Sequence, residues 1–547
     1  MIERESGLDL LNNLLRGRIS RRDALKRGAA IGLSASALGT LAHIGGESAF
    51  AQDSTPAAVA VPAGEIVWAL ETTVPNIIPF GGIALAQWQG KEFLYDSLLA
   101  WDADLKVIPA LAESYETPDD LTYIFHLRHG VKFHNGNEMM AKDVVYSLTT
   151  ALNPPEPGVK VPYLGNVVSA EAVDDYTVKV NMSKLDPTLV GTLAWTNYTS
   201  IVPEGLLEQV NVLSEGIGTG PFKLVEYSQD DQIVYEAFPD FWGNGSGAPG
   251  VQKLTLKMLT DEQARVAALR SGEAIGSTFT ADVASTLASD EITVLSGLTS
   301  APKVIQFSMV NDVPWRDKRV RQAISLVVDR QEIIDKVYGG EAVVTGAIPP
   351  GYGDWPLADD VVAAAYANDV EKAKQLMADA GFADGFDVKL QAIAQPHEYV
   401  QISEIVQQSV KQLNINVSVE PLEIGTFAAN IGSGEFEWAS TGRGMRGDPS
   451  GHVVDFRSGT ANNLVWFGDG WKNDQIDALY DQGLAELDQA KRHDIYNQIQ
   501  TLLLDEMPNM YTVVSNKYQA VSSSLHGMYV FYGNTNPGLR TVTVTEE

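Results

Sequence analysis

The amino-acid sequence predicts an α/β fold. Three observations carry that prediction. Short runs of two-residue hydrophobic period alternate with longer runs of helical period along most of the chain. Of the 547 residues, 45% are hydrophobic and 20% charged, enough apolar material for more than one core. No internal repeat occurs at the periods of about 20–50 residues that mark solenoids. At roughly 150 residues per domain, the length allows about three or four folding units. With 39 Lys+Arg against 70 Asp+Glu the net charge is −31, a field that repels phosphate backbones and anionic lipid headgroups. Nucleic acid is excluded as an expected partner.

The chain opens on an address. Ser20-Arg21-Arg22-Asp23-Ala24-Leu25-Lys26 is followed by a mildly apolar run from Ala29 to Ala42 and then by Ala49-Phe50-Ala51. That order is a basic region, an apolar region and a small-x-small cleavage site, and the paired arginines resemble a twin-arginine export signal over 1–51. Residues 52–63, QDSTPAAVAVPA, read as a flexible leader. No later run reaches the roughly 18 continuous apolar residues of a membrane span, so the mature chain is expected to be soluble outside the cytoplasm. Without Cys it can form no disulfide, offer no thiolate to a metal and accept no lipid on an N-terminal Cys.

Farther along, Tyr176, Val178, Val180 and Met182 alternate with polar residues after the Asp174-Asp175 turn, the pattern of a strand with one buried face; Leu254, Leu256 and Met258 repeat it. Val320, Ile324, Val327 and Val328 have helical spacing, on a helix expected to run out at Gly339-Gly340. Val370, Ala373, Met377 and Ala380 follow Asp369 as N-cap and stop at Gly381.

Six spaced segments share a further pattern: PALAESYETPDDLTYIFHLRHGVKFHNGNEMMAKDVVYSL (Pro109–Leu148), GTGPFKLVEY (Gly218–Tyr227), FPDFWG (Phe238–Gly243), ARVAALRSGE (Ala264–Glu273), PWRDKRVRQAISLVVDRQEIIDKVYGG (Pro314–Gly340) and VEKAKQLMADAGFADGF (Val370–Phe386). In this order they are similar to the extracytoplasmic solute-binding proteins of the peptide/nickel class, which serve ABC importers. The resemblance covers nearly the whole mature chain. It implies two α/β lobes joined by a hinge, with an extra subdomain in lobe one and a ligand enclosed between the lobes. On that pattern lobe one comprises 64–99, the extra subdomain 100–219, and 220–299; lobe two is 300–516, and 517–547 returns to lobe one. It also implies a monomer that meets permease subunits in the membrane, binds without chemistry and needs no cofactor.

The residues themselves favour structure over catalysis. Gly218-Thr219-Gly220-Pro221 lacks the Lys-Ser/Thr and the helix of a phosphate loop and reads as a tight turn before a strand. His126, His129 and His134 lie close together, but a strand would not point all three one way, so no metal site is expected. Arg319 and Arg321 beside Asp317 and Asp329 read as helix-surface ion pairs. Gly-x-Ser-x-Gly, His-Glu-x-x-His and a Cys nucleophile are all missing, which leaves a secreted hydrolase using an Asp/Glu pair as the alternative class.

The ligand-binding candidates centre on the Gly-rich stretch Trp438–Phe467. Peptide-binding members of the resembled family carry an aspartate three positions before an Asp-Pro step to grip a peptide's α-amino group; here the step is Asp448-Pro449 and that position is Met445. Likewise the family's Phe-Asn at the start of lobe two is Phe307-Ser308. Arg443 and Arg446 suit an oxyanion instead, because a guanidinium fork matches planar oxygens. Trp438, Trp466 and Phe467 flank that loop, and Trp88, Trp195, Asn197 and Tyr198 are expected to reach the cleft from lobe one. The ligand is expected among short or modified peptides, oligosaccharides and opine-like conjugates.

Overall fold

The structure, a computed structural model, describes residues 62–545 apart from 81–84, 103–104, 156–163, 244–247, 396, 445 and 447. The export signal read at 1–51 lies outside the described residues, as does most of the leader.

The first lobe is organised by a mixed sheet. Its strands run in the spatial order Ile292–Leu298, Val513–Ser522, Gly276–Phe279, Glu65–Leu70, Lys253–Met258, Gln232–Ala237, Phe222–Ser228, and Ala342–Val344 adds to Val513–Ser522. Glu65–Leu70 is parallel to both of its neighbours, and the other pairings are antiparallel. The expected alternation holds at Leu254, Leu256 and Met258, all buried on one face of Lys253–Met258. A separate antiparallel sheet orders Ala112–Asp119, Thr122–Leu127, Thr177–Met182 and Val167–Asp174; in it Val178, Val180 and Met182 turn inward as their spacing requires.

The second lobe has a five-stranded sheet in the order Asn416–Leu422, Asp387–Ile393, Trp438–Gly442, Lys303–Phe307, Asn509–Tyr511. Its core is aromatic: Trp438, Phe307, Trp315 and Phe386 pack with ring centroids 5.4 to 6.4 Å apart. The chain passes between the sheets through Thr299–Pro302 and returns through Thr512, and the two passages are bonded to each other. Thr299 donates from its amide and its hydroxyl to the Ser515 carbonyl, both at 3.1 Å, and Thr512 does the same to the Lys303 carbonyl, both at 2.9 Å.

Three expectations are refined. The helix beginning at Lys318 does not continue to Gly339: it ends at Val327, and Asp329 caps a second helix, Arg330–Tyr338, by accepting from the amides of Gln331 (2.9 Å) and Glu332 (3.4 Å). An acidic side chain directly after the last apolar position, Val328, offered the backbone a fresh start. Arg319 does pair at the surface with Asp317, but Arg321 is 1% exposed and donates to the carbonyls of Trp315, Arg316, Glu506 and Met507, tying down the end of the helix Gln489–Glu506. In the Gly218–Pro221 turn the glycines serve close approach: neither has positive φ, but a Cβ at Gly218 or Gly220 would collide with the carbonyl oxygen of Leu94 or Phe93. The helix Val370–Asp379 forms as read, with Asp369 accepting from the Lys372 amide at 2.9 Å and Gly381 at φ +85°.

Candidate functional site

Residues of the two lobes meet across a narrow crevice, lined by Thr188, Thr192, Trp195 and Tyr198 on one side and Asp448, Ser450 and Gly451 on the other. The lobe-one wall comes from two short helices. Trp195 precedes the single turn Thr196–Thr199, which carries Tyr198, and Trp88 sits on Leu85–Lys91. Their rings form one cluster, Trp88 to Trp195 at 5.4 Å, Trp195 to Tyr198 at 5.4 Å and Trp88 to Tyr198 at 6.1 Å. So short a helix cannot hold itself in place. Lys91 does so, wholly buried, with its ammonium donating to the carbonyls of Ile78 (2.9 Å), Pro79 (3.3 Å) and Asn197 (3.1 Å). Burial lowers its pKa to about 7.

The lobe-two wall is held by charge. Asp448 takes both forks of Arg492, at 2.8 and 2.6 Å, and Arg492 is itself packed between Trp355 and Tyr496, with its Nε on the Gly483 carbonyl at 3.0 Å. Asp448 also accepts from the Ser450 amide at 2.8 Å, so the turn that lines the crevice is built on the same carboxylate. Arg443 is paired with Asp455 at 3.1 Å, donates to Gln306 Oε1 at 2.9 Å and lies 4.6 Å over the Trp466 ring. Arg446 is half-buried; its backbone amide donates to the Tyr352 hydroxyl at 2.8 Å, that hydroxyl donates to its carbonyl at 2.7 Å, and its Nε reaches the Gly451 carbonyl at 3.3 Å. Between the two arginines lies His452, 7% exposed, with Nε2 buried and unbonded. Burial first, and then the charges of Arg446 and Arg443, hold its pKa well below the ordinary histidine value, so the ring is neutral.

The structure thus brings together part of the expected set. Trp195 and Tyr198 line the crevice from lobe one with Trp88 packed against them, and Arg446 stands behind Gly451 on the other side. Asn197, 3% exposed, lines a neighbouring recess of lobe one. Met445 lies outside the described residues. Three aromatic expectations are corrected: Trp438 and Phe467 are 0% exposed and Trp466 4%, packed respectively against Phe307 and Trp315, against Phe456 and Trp471, and under Arg443. They are core residues: Trp438 lies on the strand Trp438–Gly442, central in its sheet, and Trp466 and Phe467 sit at the end of the helix Ala461–Trp466, turned into the lobe. Arg443 likewise answers an internal carboxylate. Missed from sequence were Asp448 as a structural partner of Arg492, and Thr188 and Thr192; pairing across 44 residues leaves no local signal.

Each of the three neighbouring histidines has its own contact. His126 meets Glu116 at 3.1 Å, His129 stacks on Tyr176 at 3.8 Å, and His134 lies between Gly218 and Gly220. The Gly218 amide donates to His134 Nδ1, which leaves the proton on Nε2, donated to the Gly220 carbonyl.

A two-lobed molecule with an interlobe crevice matches what known proteins show. Residues 106–463 match the family model for bacterial extracellular solute-binding proteins, family 5. The glutathione-binding protein GsiB of Salmonella typhimurium is 27% identical over 496 residues, spanning 86% of this chain and 93% of that one. Among solved structures, the periplasmic binding protein AgaA in complex with agropinic acid, from A. tumefacien R10, superposes with a TM-score of 0.75 at 27% identity, over 88% of this chain and 99% of that one. The Helicobacter pylori binding protein DppA, in complex with the peptide STSA, gives 0.75 at 24% identity over 88% and 98%, a likeness of fold. Fold, crevice and matched segment converge: the chain belongs to the bacterial extracellular solute-binding proteins of family 5.

Proposed function

We propose that this protein captures a small solute in the interlobe crevice and delivers it to the permease of an ABC importer, without altering it chemically. The observation that carries the reading is the juxtaposition of the Trp195–Tyr198 wall of lobe one with the Asp448–Gly451 turn of lobe two, so that a solute contacting both would favour the closed arrangement of the lobes. A short modified peptide or an opine-like conjugate suits it best. Asp448, the carboxylate in the crevice lining, has both oxygens on Arg492, which leaves it poorly placed to grip a free peptide ammonium. The ligands that two relatives are named for or hold, glutathione and agropinic acid, are of these kinds.

Thermal shift with glutathione, agropinic acid, dialanine and maltotriose tests this. A ligand bound only by the folded state stabilises by RT ln(1 + [L]/Kd), about 2.7 kcal/mol at 100 Kd. Stabilisation by glutathione or agropinic acid, recovered intact by mass spectrometry, is the expected result. A response to maltotriose alone would assign an oligosaccharide, and conversion of the ligand would make the protein a hydrolase. We further infer export by the twin-arginine route from Arg21-Arg22. Replacing both with Lys preserves charge and should leave precursor in the cytoplasm, whereas unchanged export would indicate the general secretory route.

A further inference from the structure

The paired passages are not the only tie between the lobes. In the C-terminal return, the loop that carries Tyr532, Asn534 and Asn536 is fixed to lobe one. Lys517 donates to the Asn534 carbonyl at 2.9 Å and to the Asn536 side-chain oxygen at 3.2 Å, and the Asn536 amide donates to the Glu92 carboxylate at 2.9 Å. From that loop Tyr532 reaches across to lobe two. Its hydroxyl donates to the Pro350 carbonyl, and its ring packs edge-on against Tyr352 with centroids 5.5 Å apart. The fit is close: Gly351 has φ +104°, and a Cβ there would strike the Tyr532 ring.

The receiving segment is held as firmly to lobe two. The Tyr352 hydroxyl bonds both the amide and the carbonyl of Arg446, and its ring packs on His452 at 4.8 Å. Three residues on, the Trp355 carbonyl accepts from Gln500 at 2.9 Å. Tyr532 is tied to the crossing as well, since its own carbonyl accepts from the Ser300 amide at 3.0 Å. One residue therefore joins the crossing passage, the return loop of lobe one and the part of lobe two behind the crevice. Because the two ends of its side-chain contact are fixed to different lobes, a change of lobe angle must pull Tyr532 from Pro350 and Tyr352.

We propose that Tyr532 is an interlobe lock, whose hydroxyl bond to Pro350 and ring contact with Tyr352 hold the lobes closed when no solute is bound. The lock rests on the two-lobed fold and not on the solute-capture reading. Where a solute is captured, its entry to the crevice waits on release of this contact.

The chain has no Cys, so two introduced cysteines carry spin labels at unique positions. Val225→Cys on lobe one and Leu487→Cys on lobe two replace exposed residues outside the contact. Double electron–electron resonance then reads the interlobe distance on the full chain, refolded from urea to remove any bound solute. The labelled parent should show one main distance, the closed one. Tyr532→Phe keeps the ring and loses the hydroxyl; it should shift the closed-to-open ratio about fivefold toward a longer distance, the order of one net hydrogen bond. Gly351→Ala presses a methyl into the Tyr532 ring from the other lobe and should shift the ratio further. Tyr95→Phe is the control, a buried lobe-one tyrosine whose hydroxyl makes no hydrogen bond to the described residues, and it should keep the parent's distance. Circular dichroism checks the fold of each variant, and if Gly351→Ala does not fold, Tyr532→Phe decides alone. An unchanged distance in either folded variant, or an equal shift in Tyr95→Phe, would overturn the lock. The two readings fail separately: the distances are measured without solute and leave capture untouched, and a thermal shift that finds no solute leaves the lock untouched.

Discussion

On the lobe-one side of the crevice Trp88, Trp195 and Tyr198 stand with ring centroids within 6.1 Å of one another. On the lobe-two side Arg443, Asp448, Asp455 and Arg492 are bonded among themselves. The first wall is held by ring packing, with none of its three rings more than 8% exposed; the second uses its polar groups to fix a turn. Charge near a cleft is therefore a poor guide to what binds there, because a buried ion pair satisfies its own partners before any ligand arrives. Selectivity in this molecule is expected to follow the aromatic wall, and the shape of the crevice to follow the charged one.

The largest expected effect comes from breaking the second wall. Arg492→Met leaves Asp448 partly buried and without its fork, a change that costs about 3–5 kcal/mol in comparable buried pairs. Urea unfolding of the variant should show that loss as a lower midpoint with an unchanged slope. A shift under about 1 kcal/mol would mean that the turn stands without the pair, and the contrast between the walls would fail.

A smaller effect sharpens the contrast through pH. His452 has a folded pKa below its unfolded value, so beneath about pH 6.5 the unfolded chain gains a proton that the native ring, between Arg443 and Arg446, refuses. Stability should therefore fall as pH drops from 6.5. His452→Phe keeps a ring against Tyr352 and removes the titration. Its melting temperature should match the parent's at pH 8 and exceed it at pH 5; parallel curves for the two proteins across that range would show that His452 is protonated without penalty.

Much of the fold was legible because it is local. Period-two burial at Val178, Val180 and Met182 and the Asp369 cap are written in adjacent residues, and the similarity of six segments supplied the two lobes. The break at Asp329 was legible in principle, since an aspartate behind Val327-Val328 is a cap as readily as a surface charge. The site was legible in part. Trp88, Trp195 and Tyr198 gather into one cluster beside the crevice, whereas Trp438, Trp466 and Phe467 looked the same in sequence and proved to be core. An aromatic residue beside a glycine-rich loop has no mark that tells the covered face of a strand from the rim of a cleft. Arg321 and Arg492 show the same limit for charge: their partners lie far along the chain, at Glu506 and Met507 and at Asp448.

The paired passages between the lobes carry a mechanical consequence. Because Thr299 is bonded to Ser515 and Thr512 to Lys303, the two segments form a strap, not two independent strings. A strap flexes readily across its thin dimension and resists shear along its width, so the lobes are expected to move mainly by one bending angle. The spacing between any point on one lobe and any point on the other then becomes a function of that angle alone. On the solute-capture proposal, occupancy would then be readable as a ruler reads it, from a single length between the lobes, without contact with the solute.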